Sequence, residues 1–147
     1  MTHRLPLRIY YEDTDLAGIV YYANYLKFIE RGRSEWVREM GVDQAAMKRD
    51  DGVVFAVRRV EADYHAPAKY DDEVVVTTTV KGVTGARLIV KQTVERGGDV
   101  LFSALVTIVA INEAGAPARL PQPYPAEPPR WRAQAPRRRR CGAPCPW

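Results

Sequence analysis

The sequence predicts an α+β fold in which an antiparallel five-stranded sheet wraps one long helix. Two observations carry this. A single stretch, beginning near residue 22, spaces its apolar residues at helical intervals, and four extended segments rich in valine, threonine and isoleucine follow it without another long helix. At 147 residues with 46% hydrophobic and 27% charged side chains, the chain has the size and composition of one globular core.

The elements follow in order. Leu5, Leu7 and Ile9 alternate with Arg4, Arg8 and Tyr10, which is half-buried strand patterning over residues 5–11. A turn at Asp13-Thr14-Asp15-Leu16-Ala17-Gly18 precedes the helix. There Tyr22, Tyr25, Leu26, Ile29, Trp36 and Met40 define an apolar stripe, with Asn24, Lys27, Glu30, Arg31, Ser34, Glu35 and Arg38 opposite. Gly32 interrupts the helix at a cost of about 1 kcal/mol against alanine, which close approach to a sheet would explain. Gly41 suits the helix C-terminus, and a short helix is predicted over 43–49. Strands are predicted over 53–65, 73–83, 87–96 and 100–112, broken at Ala66-Pro67 with Tyr70-Asp71-Asp72, at Thr84-Gly85 and at Gly97-Gly98-Asp99. The last strand is apolar nearly throughout, as for a central strand covered on both faces.

The formal charge of +4 misleads about partners. Residues 126–147 hold six of the 22 basic residues and one of the 18 acids, so residues 1–125 keep 16 against 17. The domain is therefore read as 1–125, nearly neutral, and residues 126–147 as a Pro/Arg-rich disordered tail whose run Arg137-Arg138-Arg139-Arg140 is solvated. No aromatic platform accompanies those arginines, so nucleic acid is not an expected partner. The longest charge-free stretch, 100–112, is too short for the roughly 20 residues of a transmembrane helix, and no secretory signal opens the chain. A cytoplasmic location is expected. Cys141 and Cys145 both lie in the tail and, with no histidine nearby, do not make a structural zinc site; no metal and no cofactor are expected.

The chemistry concentrates in residues 11–25, YEDTDLAGIVYYANY. Nucleophile-elbow, phosphate-loop and His-Glu-x-x-His motifs are absent, and of the two histidines only His65 lies beyond the first strand, with no nucleophile marked beside it. Acid–base work falls to carboxylates. Asp13 and Asp15 leave a strand, and a helix start follows whose free N–H groups, around Tyr21 and Tyr22, carry a partial positive charge suited to an oxyanion. Gly18 removes a side chain that would block access. Asp15, at an ordinary aspartate pKa of about 3.9, is ionised near neutrality, and a thiol leaving group of pKa about 8.5 departs without a strong acid. Thioester cleavage thus needs only these parts. Taken alone, Asp-Thr-Asp before a helix also reads as a cap or Asx-turn, which is the role expected of Asp13. Glu30 is the rival catalytic carboxylate, although Arg33 and Ser34 stand within reach of an ion pair or hydrogen bond. Tyr22 and Tyr25 are read as packing residues.

The motif from Tyr11 to Tyr25, continuing through Glu30 and Arg33 and joined by Tyr64-His65-Ala66-Pro67-Ala68 and Tyr70-Asp71-Asp72, resembles hotdog-fold acyl-CoA thioesterases of the 4-hydroxybenzoyl-CoA thioesterase type, in particular the Tol-Pal-associated subgroup. The resemblance spans about residues 5–115. It implies Asp15 as the catalytic aspartate, acting as nucleophile or general base, and the backbone N–H of Tyr22 as the group that polarises the carbonyl. It also implies homodimers or homotetramers, acyl-CoA as substrate with acyl carrier protein as a further partner, and no metal or prosthetic group. Two other functions fit the same fold: a non-catalytic binder of acyl-CoA or acyl carrier protein, and a hydroxyacyl dehydratase, which would require His65 to meet Glu30 or Asp15.

Overall fold

A computed structural model describes residues 2–120. The element order is β1 (His3–Arg8), α1 (Asn24–Glu39), α2 (Gln44–Asp51), β2 (Val54–Tyr64), β3 (Glu73–Val83), β4 (Arg87–Arg96) and β5 (Asp99–Ile111). The strands form one sheet in the order β1-β3-β4-β5-β2, antiparallel throughout. The expected architecture is therefore present. The tail expected over 126–147, with both cysteines and the arginine run, lies outside the described residues. No helix among the described residues is long and apolar enough to cross a membrane.

Alternation along the strands sorts the sheet into two faces. Val74, Val76, Val90, Phe102, Ala104 and Val106 point to the inner face and are buried. Helix α1 lies on that face against β1, β3 and β4. Its buried stripe is Tyr25, Phe28, Ile29, Gly32, Trp36 and Val37, which corrects the sequence reading in three places. Leu26 is 43% exposed and Tyr22 is exposed before the helix begins, while Asn24, assigned to the polar face, is buried. The reason for the last is a polar partner, described below. The sheet order also corrects the central strand: β4 is the middle one. Strand β5 buries its inner face, while its outer face is mostly half-buried with Leu105 40% exposed.

Gly32 is where helix and sheet come closest. A Cβ there would stand 2.6 Å from Val76 Cγ1, nearer than side-chain atoms approach. Beside it the fully buried Gln92 ties the layers together: its Nε2 donates to Ile29 O at 2.8 Å and Thr78 Oγ1 at 2.9 Å, and its Oε1 accepts from Arg33 at 2.9 Å. Every polar group of the amide is thus engaged, as a buried amide requires. Gly32→Ala is expected to lose about 1–2 kcal/mol, overpacking outweighing the gain in helix propensity. Denaturant midpoints check this, and Val76→Ala should recover most of the loss.

Candidate active site

Residues 10–24 form a compact knot that turns the chain from β1 into α1. Tyr11–Asp13 makes one 3-10 turn. The carboxylate of Asp13 folds back to accept the Tyr10 N–H at 2.8 Å and is buried, so Asp13 has a structural partner. Thr14 then pairs with Val20, and across this small hairpin the Asp15 N–H donates to Ile19 O at 2.9 Å. The tip is closed by Gly18, whose N–H donates to Asp15 O at 3.0 Å. Gly18 has φ +78, and a Cβ added to it meets nothing within 4 Å. The glycine is needed for its left-handed backbone rather than to clear a side chain from the path, which revises the sequence argument.

Asp15 is half-buried. Its Oδ1 accepts the Ala17 N–H at 2.9 Å, an Asx-turn that fixes the side chain. The hairpin returns the chain beside this acid, and Tyr21 and Tyr22 follow. The phenol of Tyr21 is raised above the ordinary tyrosine pKa, first by the hydrogen bond and charge of Tyr22 and in smaller part by the negative charge of Asp15.

The two N–H groups singled out in the sequence separate here. That of Tyr21 donates to Asp13 O at 2.9 Å and is occupied. That of Tyr22 has no acceptor among the described residues. The carbonyl in the same peptide, Tyr21 O, accepts from Asn24 N at 2.8 Å. Because a trans peptide sets its C=O and N–H on opposite sides, the Tyr22 N–H points away from the helix it precedes. The helix starts at Asn24, two residues later than the apolar spacing indicates, and its N-cap, Ala23, supplies no side-chain cap.

Two residues that hold this arrangement were not assigned a role in the sequence. Asn24 sends its Nδ2 to Asp13 O at 2.9 Å, so its amide, though buried, is partnered inside the knot. Tyr64, on β2, donates its hydroxyl to Tyr22 O at 2.8 Å. Burial is the main cause that raises the Tyr64 phenol, which keeps it protonated as a donor. An asparagine at a helix start was the available signal for the first. The second depends on which strand lies beside the helix tip, which no local pattern reports.

Tyr25 is a core residue, stacked on Phe102 at 5.0 Å, and its hydroxyl accepts the Ala68 N–H at 3.0 Å. The segment around Ala68 is stitched to the hairpin as well, by Val20 N to Ala68 O at 2.8 Å and by pairing of Ile19 with Lys69.

Glu30 lies further along α1, accepting from Ser34 Oγ at 2.8 Å. With Arg33, Ser34 and the apolar side chains of Val37, Phe55 and Leu88 it borders a cavity of about 220 Å³. Burial lowers the Arg33 guanidinium below its usual value, opposed by the charge of Glu30. His65 meets Ser103 Oγ through Nε2 at 2.8 Å. Among the described residues no group of three or more His, Cys, Asp or Glu is placed to hold a metal ion.

Residues 17–103 match the thioesterase superfamily. The chain is 37% identical over 107 residues to the acyl-CoA thioesterase YbgC of Haemophilus influenzae, covering 73% of this chain and 79% of that protein. To the acyl-CoA thioester hydrolase YbgC of Escherichia coli O157:H7 it is 36% identical over 126 residues, 84% of this chain and 93% of that one. The solved structure of a probable thioesterase from Bartonella henselae superposes with a TM-score of 0.79 at 38% identity, covering 82% of this chain and 100% of that chain. The 1,4-dihydroxy-2-naphthoyl-CoA thioesterase of Synechocystis, at 22% identity and a TM-score of 0.78 over 84% of this chain and 93% of its own, shares the fold.

Proposed function

The chain belongs to the thioesterase superfamily and is an acyl-CoA thioester hydrolase, and on that premise we propose that Asp15 and the backbone N–H of Tyr22 are its reacting groups. The observation that carries the proposal is the hairpin. It pairs Thr14 with Val20, fixes Asp15 through Ala17, and delivers the chain directly to an N–H with no acceptor among the described residues.

In this reading the thioester carbonyl oxygen accepts from Tyr22 N–H, which stabilises the charge that develops on it. The carboxylate of Asp15 takes a proton from water as the water oxygen bonds to the carbonyl carbon. The carbon–sulfur bond then breaks and CoA leaves as thiolate. Direct attack by the carboxylate, giving a mixed anhydride that water opens, uses the same groups. Either route proceeds without a metal or prosthetic group. Glu30, bonded to Ser34, is assigned to the wall of the adjoining cavity.

We extend the proposal to a homodimer. Among the described residues strand β2 has a hydrogen-bonded neighbour on one side only, and Val57 and Val60, on its inner face, are 46% and 39% exposed. An eleven-residue open edge flanked by uncovered valines is a surface that proteins normally cover. Pairing of dimers into tetramers follows from the motif's resemblance, as do a cytoplasmic location and the Tol-Pal association. Acyl carrier protein presents the same class of thioester and joins the substrate panel.

Thiol release from acyl-CoAs of graded chain length and from aromatic acyl-CoAs tests the function. Turnover of at least one member is expected. Saturable binding without turnover across the panel would instead support the binding module.

A further inference from the structure

Tyr11 opens the 3-10 turn that leads to Asp15, and Tyr70 lies in the loop between β2 and β3. Their rings stack with centroids 4.6 Å apart and 23° between planes, although Tyr11 is 79% exposed and Tyr70 51%. Ordering two side chains this exposed costs rotational freedom, a cost that falls when the backbone beneath each is already fixed. Here both are fixed.

The ladder between β1 and β3 ends at Arg8 opposite Glu73, and two further bonds extend it: Ile9 N donates to Asp72 O and Asp71 N to Ile9 O, each at 2.9 Å. Arg8 adds side-chain bonds to Asp71 Oδ1 at 3.0 Å and to Glu73. On one side of the stack, Tyr11 O accepts from Thr14 N at 3.1 Å and from Thr14 Oγ1 at 2.8 Å. On the other, Lys69 N donates to Asp72 Oδ2 at 2.8 Å and Asp72 N to Lys69 O at 3.1 Å, which closes a turn around Tyr70. Asp71 completes that turn at φ 69, in the left-handed region that aspartate tolerates better than most residues. Two exposed phenols are thus preset face to face by the main chain on both sides.

We propose that Tyr11 and Tyr70 are an oxidative modification site, at which a peroxide-driven one-electron oxidant of the haem peroxidase type joins the two rings as dityrosine and staples the turn before Asp15 to the loop before β3. Each ring gives one electron to the oxidant and its hydroxyl proton to water, leaving unpaired density on the carbons ortho to oxygen. One bond forms between an ortho carbon of each ring. Those two carbons then lose their hydrogens as protons while the two oxygens regain one each, restoring both phenols. Two electrons and two protons leave in all, and they reduce one hydrogen peroxide to two waters. Holding the rings together turns the coupling of two radicals from a chance encounter into an intramolecular step. Tyr21 and Tyr22 are also near each other, at 4.9 Å, but at 62° the edge of one ring meets the face of its neighbour. The stacked pair of Tyr25 and Phe102 is buried and holds a single phenol. The coupling makes no use of Asp15 and stands apart from the hydrolytic mechanism.

The test treats the full chain, dilute enough to keep molecules apart, with a haem peroxidase and limiting hydrogen peroxide. Proteolysis and mass spectrometry are expected to find the peptides bearing Tyr11 and Tyr70 joined, two hydrogens lighter than their sum, together with dityrosine fluorescence. Tyr11→Phe and Tyr70→Phe each keep a flat ring in the stack and remove one phenol, so each should lose most of the total dityrosine while remaining folded by circular dichroism. The linked chain should also melt higher than equally treated Tyr11→Phe, because a bond between residues 11 and 70 restricts the unfolded chain as any cross-link does. Absence of dityrosine, dityrosine confined to other pairs or to links between molecules, or a total that the two phenylalanine variants leave unchanged overturns the site. A linked chain that melts no higher than the treated variant overturns the staple.

Discussion

Asp15→Asn lowers kcat/KM for acyl-CoA by at least about 100-fold, the smaller end of what a positioned base contributes. Asparagine keeps the size of the side chain and keeps an oxygen for the Ala17 N–H, so the turn survives and only the negative charge is lost. The sheet and α1 do not depend on that charge. Circular dichroism and gel filtration should match wild type while thiol release falls. A variant that releases thiol at the wild-type rate removes Asp15 from the chemistry, and attention passes to Glu30, whose own replacement by glutamine is the control.

Replacing the amide at Tyr22 by an ester, with the side chain retained, is expected to lower kcat by about 100- to 1,000-fold, the usual effect of removing one oxyanion donor. The substitution exchanges N–H for oxygen and leaves the Tyr22 carbonyl that receives the Tyr64 hydroxyl. The same exchange at Tyr21 would delete the bond to Asp13 O and act on stability instead. Steady-state rates beside thermal midpoints for the two esters separate a group that meets substrate from one that holds the fold. Equal effects of both on kcat would remove the distinction between them.

Much of this fold was legible in the sequence because its signals are local. Runs rich in valine, threonine and isoleucine marked four of the strands within a residue or so of their ends, the turn residues marked where they break, and alternation placed the first strand over 5–11 where His3–Arg8 is observed. Asp43, the N-cap of α2 through its bond to Ala46 N, stands where the short helix was expected to begin. The less legible parts depend on what meets what. The helix begins at Asn24 because Tyr21 and Tyr22 are held by Asp13 and Tyr64, partners remote in the pattern. Spacing alone cannot distinguish Leu26 from Ile29, since both fall near the apolar stripe, yet only Ile29 has sheet beneath it. At the site, residue type and order single out Asp15 and Gly18 as candidates. The choice of Tyr22 over the adjacent Tyr21 N–H came only from the family resemblance, because residue type and order do not tell which carbonyl each one faces.

From Asp15 to Tyr22 is a span of eight residues, and the bonds that shape it lie within the knot, join it to the loop around Ala68, or come from Tyr64 at the end of β2. The proposed acid and donor are thus dimensioned mainly by one short piece of chain, with a single hydrogen bond from the sheet. Truncations deep in the sheet should accordingly diminish how many molecules persist at a given temperature while each survivor turns over at its native pace. Drift in the hydrocarbon interior and refinement of the reacting geometry become separable, so a lineage can alter one without retuning the other.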